Sequence, residues 1–161
     1  MISLSSLTIK SITGKTLNFS DWTGKKLLIV NTASECGYTP QYAQLQELYE
    51  RFQSELAIIA CPCNQFGGQE PDEADAINQF CQINYGVSFT VTEKVEVKGE
   101  NCHPLYNWLC QQAKSNGMPS DIEWNFHKFL VDENGQLTGS FPSATSPFDE
   151  ELLDALKLDL I

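Results

Sequence analysis

A chain of 161 residues, 42% hydrophobic and 19% charged, has the make-up of one globular domain that buries its core without cross-links. A formal net charge of −11 excludes a basic footprint for nucleic acid, and no apolar run approaches the length of a membrane span. The only arginine is Arg51, which excludes a site built from several guanidinium clamps on carboxylates.

The opening residues, MISLSSLTIK, lack the basic start and apolar stretch of a secretion signal, so a cytoplasmic location is expected. Two short alternating segments around Thr13-Gly14-Lys15 predict a β-hairpin. Residues 26–32 carry the continuous apolar run Leu27-Leu28-Ile29-Val30, which predicts a strand buried on both faces. Residues 40–54 predict a helix, with Pro40 near its start and Leu45, Leu48, Tyr49 and Phe52 at helical spacing. A second buried strand is expected at 56–60. Strand, helix and strand at this length form a βαβ unit, so the two strands should be parallel.

Asp72 is placed to cap a helix that runs to Tyr85, where Gly86 supplies the stop. Residues 93–97 alternate and predict a short strand. Pro104 opens a helix with Leu105, Trp108, Leu109 and Ala113 on one face. Residues 126–131 and 136–141 predict a hairpin about Asn134-Gly135. Ser146-Pro147 opens a last helix with Leu152, Leu153 and Leu156 inward. This order predicts an α/β protein of thioredoxin-like fold, with an N-terminal β-hairpin and an additional helix, in a single domain over 1–161.

Six cysteines stand at 36, 61, 63, 81, 102 and 110, and without a signal they are expected as reduced thiols. Cys36 lies in the turn after the first buried strand. Ligands of open α/β sheets gather at that edge, and a helix N-terminus there favours thiolate. Ionisation alone is a weak lever, because a thiol of pKa about 8.5 gains only roughly 30-fold in thiolate at neutral pH. Expelling an oxygen leaving group also needs donors placed around the sulfur. Loop 61–71 offers Asn64, Gln65 and Gln69, with Gly67-Gly68 for a tight turn. Trp124-Asn125 enters a strand that is antiparallel in this fold, so it returns to the same edge; an indole N–H only donates. Cys61, Cys63, Cys102 and His103 could be drawn as a zinc site, but not at paired-ligand spacing, and no metal is expected. A Cys36–His127 hydrolytic dyad lacks an orienting partner.

The segments NTASECGYTP, PCNQFGGQEP and WNFHKFL, in this order, resemble the three signature segments of the glutathione peroxidases. With the KVEVKGENCHPLYNWL stretch, the resemblance covers most of the chain. It implies a thiol peroxidase that reduces hydrogen peroxide and organic or lipid hydroperoxides to water and alcohols, without a cofactor. Cys36 then occupies the peroxidatic position, where some relatives carry selenocysteine. Gln69, Trp124 and Asn125 match the rest of the catalytic tetrad. Thr32, where valine is common, and Ala60-Cys61, where Ala-Phe is usual, depart from the pattern without touching the tetrad.

Peroxide leaves such a cysteine as sulfenic acid, which must be reduced before it over-oxidises. Cys81 is the expected resolving residue, giving a Cys36–Cys81 disulfide that thioredoxin reduces. It stands one position before the resolving cysteine of plant and insect relatives, where this chain has Gln82. Ile77, Phe80 and Cys81 at helical spacing equally suit a core thiol. A disulfide needs Cα atoms within about 7 Å, so part of the helix would have to unwind. Cys63 is a weaker contender. A single arginine suits thioredoxin better than anionic glutathione, and the short 108–124 segment suits a monomer. Two alternatives stay open: a glutathione-dependent one-cysteine peroxidase, and a peroxide sensor that passes oxidation to a partner protein.

Overall fold

The computed structural model describes residues 3–157; residues 1–2 and 158–161 of the expected domain lie outside that range. Strands β1 (Thr8–Lys10) and β2 (Thr16–Asn18) form the expected antiparallel hairpin, with Ile9 opposite Leu17. The main sheet is built on β3 (Lys26–Thr32), whose apolar run gives it two buried faces and hence a central place. Helix α1 (Gln41–Phe52) connects it to the parallel β4 (Leu56–Pro62), with Ile29 in register with Ile59. On its other side β3 pairs antiparallel with β6 (Lys128–Val131), which pairs with β7 (Leu137–Phe141). A two-residue strand β5 (Thr90–Val91) completes the order β5-β4-β3-β6-β7.

Alternation along the strands sorts the core into two clusters. Leu28, Val30, Ile58 and Ala60 face α1, α2 (Ala74–Tyr85) and α4 (Glu150–Leu156). Leu27, Ile29, Ile59 and Cys61 face α3 (Pro104–Ser115) and the N-terminal hairpin. Each fully buried Leu or Ile contributes about 1.5–3 kcal/mol relative to an exposed one, so both faces are strongly held. The result is a thioredoxin-like α/β arrangement with the added hairpin and helix. Among the described residues no helix is long and apolar enough to cross a membrane.

Four boundaries differ from expectation. Glu73, not Asp72, takes the N-cap position of α2 and makes no side-chain cap bond, while Asp75 supplies the acidic charge of the first turn. Residues 93–97 form no strand, because the Gln65 side chain accepts the Val97 N–H (2.7 Å) in place of a neighbouring strand. Helix α4 starts at Glu150, capped by Asp149 accepting from the Glu151 amide (3.0 Å), and Ser146-Pro147 forms the turn before it. Phe126 lies outside β6, in the left-handed region at φ 66°. That conformation is costly for a bulky residue and marks a bend worth explaining.

Candidate active site

The carboxyl ends of β3 and β4 release two loops at one sheet edge. The first, residues 33–40, carries Cys36. Thr39 folds it: its hydroxyl donates to the Ala33 carbonyl (2.8 Å) and accepts the Cys36 N–H (2.9 Å). The turn aims the Tyr38 N–H at Cys36 Sγ, 3.3 Å away. Helix α1 starts only at Gln41, so this turn amide, rather than the helix terminus expected from sequence, is the donor to the sulfur. Cys36 is 7% exposed, shielded but reachable.

The second loop, residues 63–71, brings Gln69. Glu35 N–H donates to the Gln69 carbonyl (3.0 Å), and Ser34 N–H donates to Glu70 Oε2 (2.8 Å), so two bonds stitch the loops together beside Cys36. Gly67 and Gly68 both have positive φ, and a Cβ on Gly67 would lie 2.9 Å from the Trp124 ring. Glycine here meets both a backbone and a packing demand.

Trp124 and Asn125 arrive from the segment before β6. Asn125 is buried, and its Nδ2 donates to Gln69 Oε1 at 3.0 Å. The Trp124 ring packs on Phe66, with centroids 6.0 Å apart, and against both core clusters. Asn31, at the end of β3, fixes the segment through three bonds. Its Nδ2 donates to the Trp124 carbonyl (3.1 Å), its Oδ1 accepts His127 N–H (3.0 Å), and its carbonyl accepts Phe126 N–H (2.6 Å). The left-handed turn at Phe126 sits between the last two and directs Asn125 to Gln69. Cys36, Gln69, Trp124 and Asn125 therefore meet at one sheet edge.

Other residues singled out from sequence lie elsewhere. Gln65 turns away, binding the backbone of Val97 and Lys98, and Asn64 accepts the Glu70 N–H (3.0 Å) as a loop brace. Cys61 and Cys63 point to the α3 face, Cys102 and Cys110 pack against that cluster, and burial raises all four thiols, Cys61 to about 12. Burial disfavours the thiolate at each of them. His127 bonds Ser140 Oγ (2.8 Å) and stacks on Phe129, which belongs to the α3-facing cluster; burial and then Lys128 push it down to about 4, so it forms no dyad with Cys36. His103 caps α3 by accepting Leu105 N–H (3.0 Å). Among the described residues no group of three or more His, Cys, Asp or Glu is arranged to hold a metal.

Cys81 is the one other cysteine in the cluster that contains Cys36. It is 1% exposed on α2, and burial pushes its thiol up to about 11 despite the Tyr42 hydroxyl beside it. Its sulfur is not bonded to that of Cys36. Two polar residues escaped the sequence reading: Glu70, buried between the two loops, and Lys128. Lys128 Nζ donates to the Ser143 carbonyl (3.0 Å), and burial lowers it to about 7. Both sit inside motifs read for their neighbours, and only the loop geometry reveals their burial.

Comparison with known proteins supplies the remaining evidence. A family model described as glutathione peroxidase matches residues 4–110. The glutathione peroxidase homolog BsaA of Bacillus subtilis is 46% identical over 151 residues, 93% of this chain and 94% of that protein. A hydroperoxy fatty acid reductase of Synechocystis is 46% identical over 154 residues, covering 92% of this chain and 90% of its own. A crystal structure of T. cruzi GPX1 superposes with a TM-score of 0.74 at 30% identity, covering 96% of this chain and 97% of that one.

Proposed function

Because the chain belongs to the glutathione peroxidase family, it is a thiol peroxidase, and we propose that Cys36 is its peroxidatic residue, with Gln69, Trp124 and Asn125 as the donors that assist it. The carrying observation is the convergence of these residues at one sheet edge, with Tyr38 N–H on the sulfur and Asn125 bonded to Gln69. The Cys36 thiolate attacks one peroxide oxygen, the O–O bond breaks, and the departing oxygen leaves as water or alcohol once protonated. Sulfur is oxidised to sulfenic acid and the peroxide is reduced. Neutral amide and indole donors suit this step, since they stabilise charge that forms only as the bond breaks.

Cys81 is the proposed resolving residue: Cys36–SOH and Cys81–SH give the disulfide and water, and thioredoxin then reduces the disulfide. Its place in the Cys36 cluster, with the remaining cysteines on or against the α3 face, supports this reading. Arg51 supports a protein reductant over glutathione. It is tied to Glu47 (2.8 Å) and lies over Phe148, at the far end of α1 from Cys36. The relative named for hydroperoxy fatty acids favours bulky lipid hydroperoxides as substrates besides hydrogen peroxide. The proposed form is a cytoplasmic, single-domain monomer.

The deciding measurement is peroxide-dependent NADPH consumption, coupled through thioredoxin and its reductase or through glutathione and its reductase. Turnover is expected with the first and little with the second; the reverse would favour the one-cysteine alternative. Collapse of the rate on replacing hydrogen peroxide by cumene hydroperoxide would remove the bulky substrates. Gly67→Ala tests the Trp124 contact. The strained φ and the clash should cost roughly 1–3 kcal/mol of stability in thermal melts. Displacing the indole should lower kcat/KM by up to about 10²-fold. A variant with unaltered kinetics would show that the position of Trp124 is not critical.

A further inference from the structure

Lys128 is 0% exposed, a setting that lysine rarely takes without a paired carboxylate, and among the described residues no carboxylate pairs with it. Strand parity with Leu130, and its place opposite Val30, turn it to the side of the sheet that holds Cys36 and α1. Its Nζ donates to the Ser143 carbonyl (3.0 Å), in the 142–145 turn that follows β7. Burial lowers the amine to about 7, so holding it there costs stability that an apolar side chain of similar volume would not cost.

The same carbonyl, with its second lone pair, accepts another donor. Gln41 Nε2 reaches it at 2.9 Å from the first residue of α1. Pro40, at the N-cap of α1, supplies no side-chain cap, so this end of the helix is tied to Ser143 in place of one. From Gln41 the connection to the sulfur is continuous. Its N–H donates to the Tyr38 carbonyl (2.8 Å), and the Tyr38 N–H donates to Cys36 Sγ (3.3 Å). Two overlapping turn bonds run alongside, from Thr39 N–H to the Cys36 carbonyl (3.0 Å) and from Tyr42 N–H to the Thr39 carbonyl (3.0 Å). They leave residues 36–42 little freedom to absorb a shift at Gln41.

We propose that Lys128 and Gln41 are positioning residues for Cys36: together they clamp the Ser143 carbonyl, and the clamped start of α1 holds the Tyr38 N–H on the sulfur. The role rests on Cys36 being the peroxidatic residue. Every link is a hydrogen bond, from Lys128 to Ser143, from Gln41 to Ser143, from Gln41 to Tyr38 and from Tyr38 to Cys36. Thr39 already ties the near side of the Cys36 turn to Ala33, and the clamp fixes its far side. With both ends held, the sulfur keeps its place relative to Gln69, Trp124 and Asn125 as the O–O bond breaks.

The test follows the free Cys36 thiol of the full chain after mixing with excess hydrogen peroxide, by acid quench and peptide mass mapping. Lys128→Met keeps the volume and removes the donor; Gln41→Leu cuts the same path without changing the charge. Each should lower the second-order rate constant by about tenfold, within the roughly 10²-fold that a 1 Å misplacement costs, while all of the thiol still reacts. A merely structural role would instead reduce the fraction that reacts and leave the rate constant of that fraction at the parent value. With Gln41→Leu in place, adding Lys128→Met should cost nothing more, because the path is already cut. Two reductions that multiply, or a parent rate constant in either single variant, would overturn the proposal and leave Cys36 in its role. Gln41→Leu touches no strand, so an unchanged rate constant there is decisive even where Lys128→Met does not fold. A parent whose Cys36 stays free while peroxide consumes another cysteine would remove the reading of Cys36, and the proposal with it.

Discussion

Cys36→Ser is expected to reduce thioredoxin-coupled peroxide turnover by at least about 10³-fold, to the uncatalysed background. Serine is nearly isosteric, and its hydroxyl can accept the Tyr38 N–H that the sulfur now takes at 3.3 Å. The Thr39 bonds that fold the turn involve only the Cys36 backbone and survive unchanged. Melting temperature should stay near that of the parent, which separates lost chemistry from lost structure. An alcohol is hardly ionised at neutral pH and cannot form a sulfenic acid, so Gln69, Trp124 and Asn125 would have nothing to assist. Substantial residual turnover would place the nucleophile at another cysteine.

Cys81→Ser should behave differently. Peroxide should still oxidise Cys36 once per molecule, seen as one equivalent consumed in a burst, and thioredoxin-driven cycling should then stop. The new hydroxyl enters a buried space beside Tyr42, so any stability cost should be about 1 kcal/mol. A normal steady state in this variant would exclude Cys81 from the cycle. Cycling restored by glutathione alone would point to direct reduction of Cys36 by a small thiol.

The elements whose chemistry is local were legible in the residues. Leu27–Val30 announced a central strand, Gly86 ended α2 in a left-handed C-cap, and Gly135 carried the β6–β7 turn. The misplaced boundaries depend on distant partners. Residues 93–97 alternate like a strand, but the side chain of Gln65, far back in sequence, claims the Val97 amide. Phe126 reads as strand until the three bonds of Asn31 bend the chain there. Within the site, topology placed loop 61–71 and Trp124-Asn125 at the Cys36 edge, and the resemblance to the glutathione peroxidases singled out Gln69 from Asn64 and Gln65 there. Local pattern could not say that the donor to Cys36 is a turn amide, that Gln65 faces away, or that Glu70 is enclosed, since each depends on how two loops pack.

The two-residue alternation of β4 has one more consequence. Cys61 and Cys63 follow Ile59 onto the α3 side, while Cys36 and Cys81 share the other. The hydrogen-bonded sheet thus acts as a partition between two populations of sulfur. An oxidising equivalent delivered at Cys36 finds a single thiol in its own compartment. The other four, two of them nearer to Gln69 in sequence than Cys81 is, lie on the far side of the backbone ladder. For Cys61 and Cys63, strand parity alone sets the side of the sheet on which they lie, with no residue devoted to it.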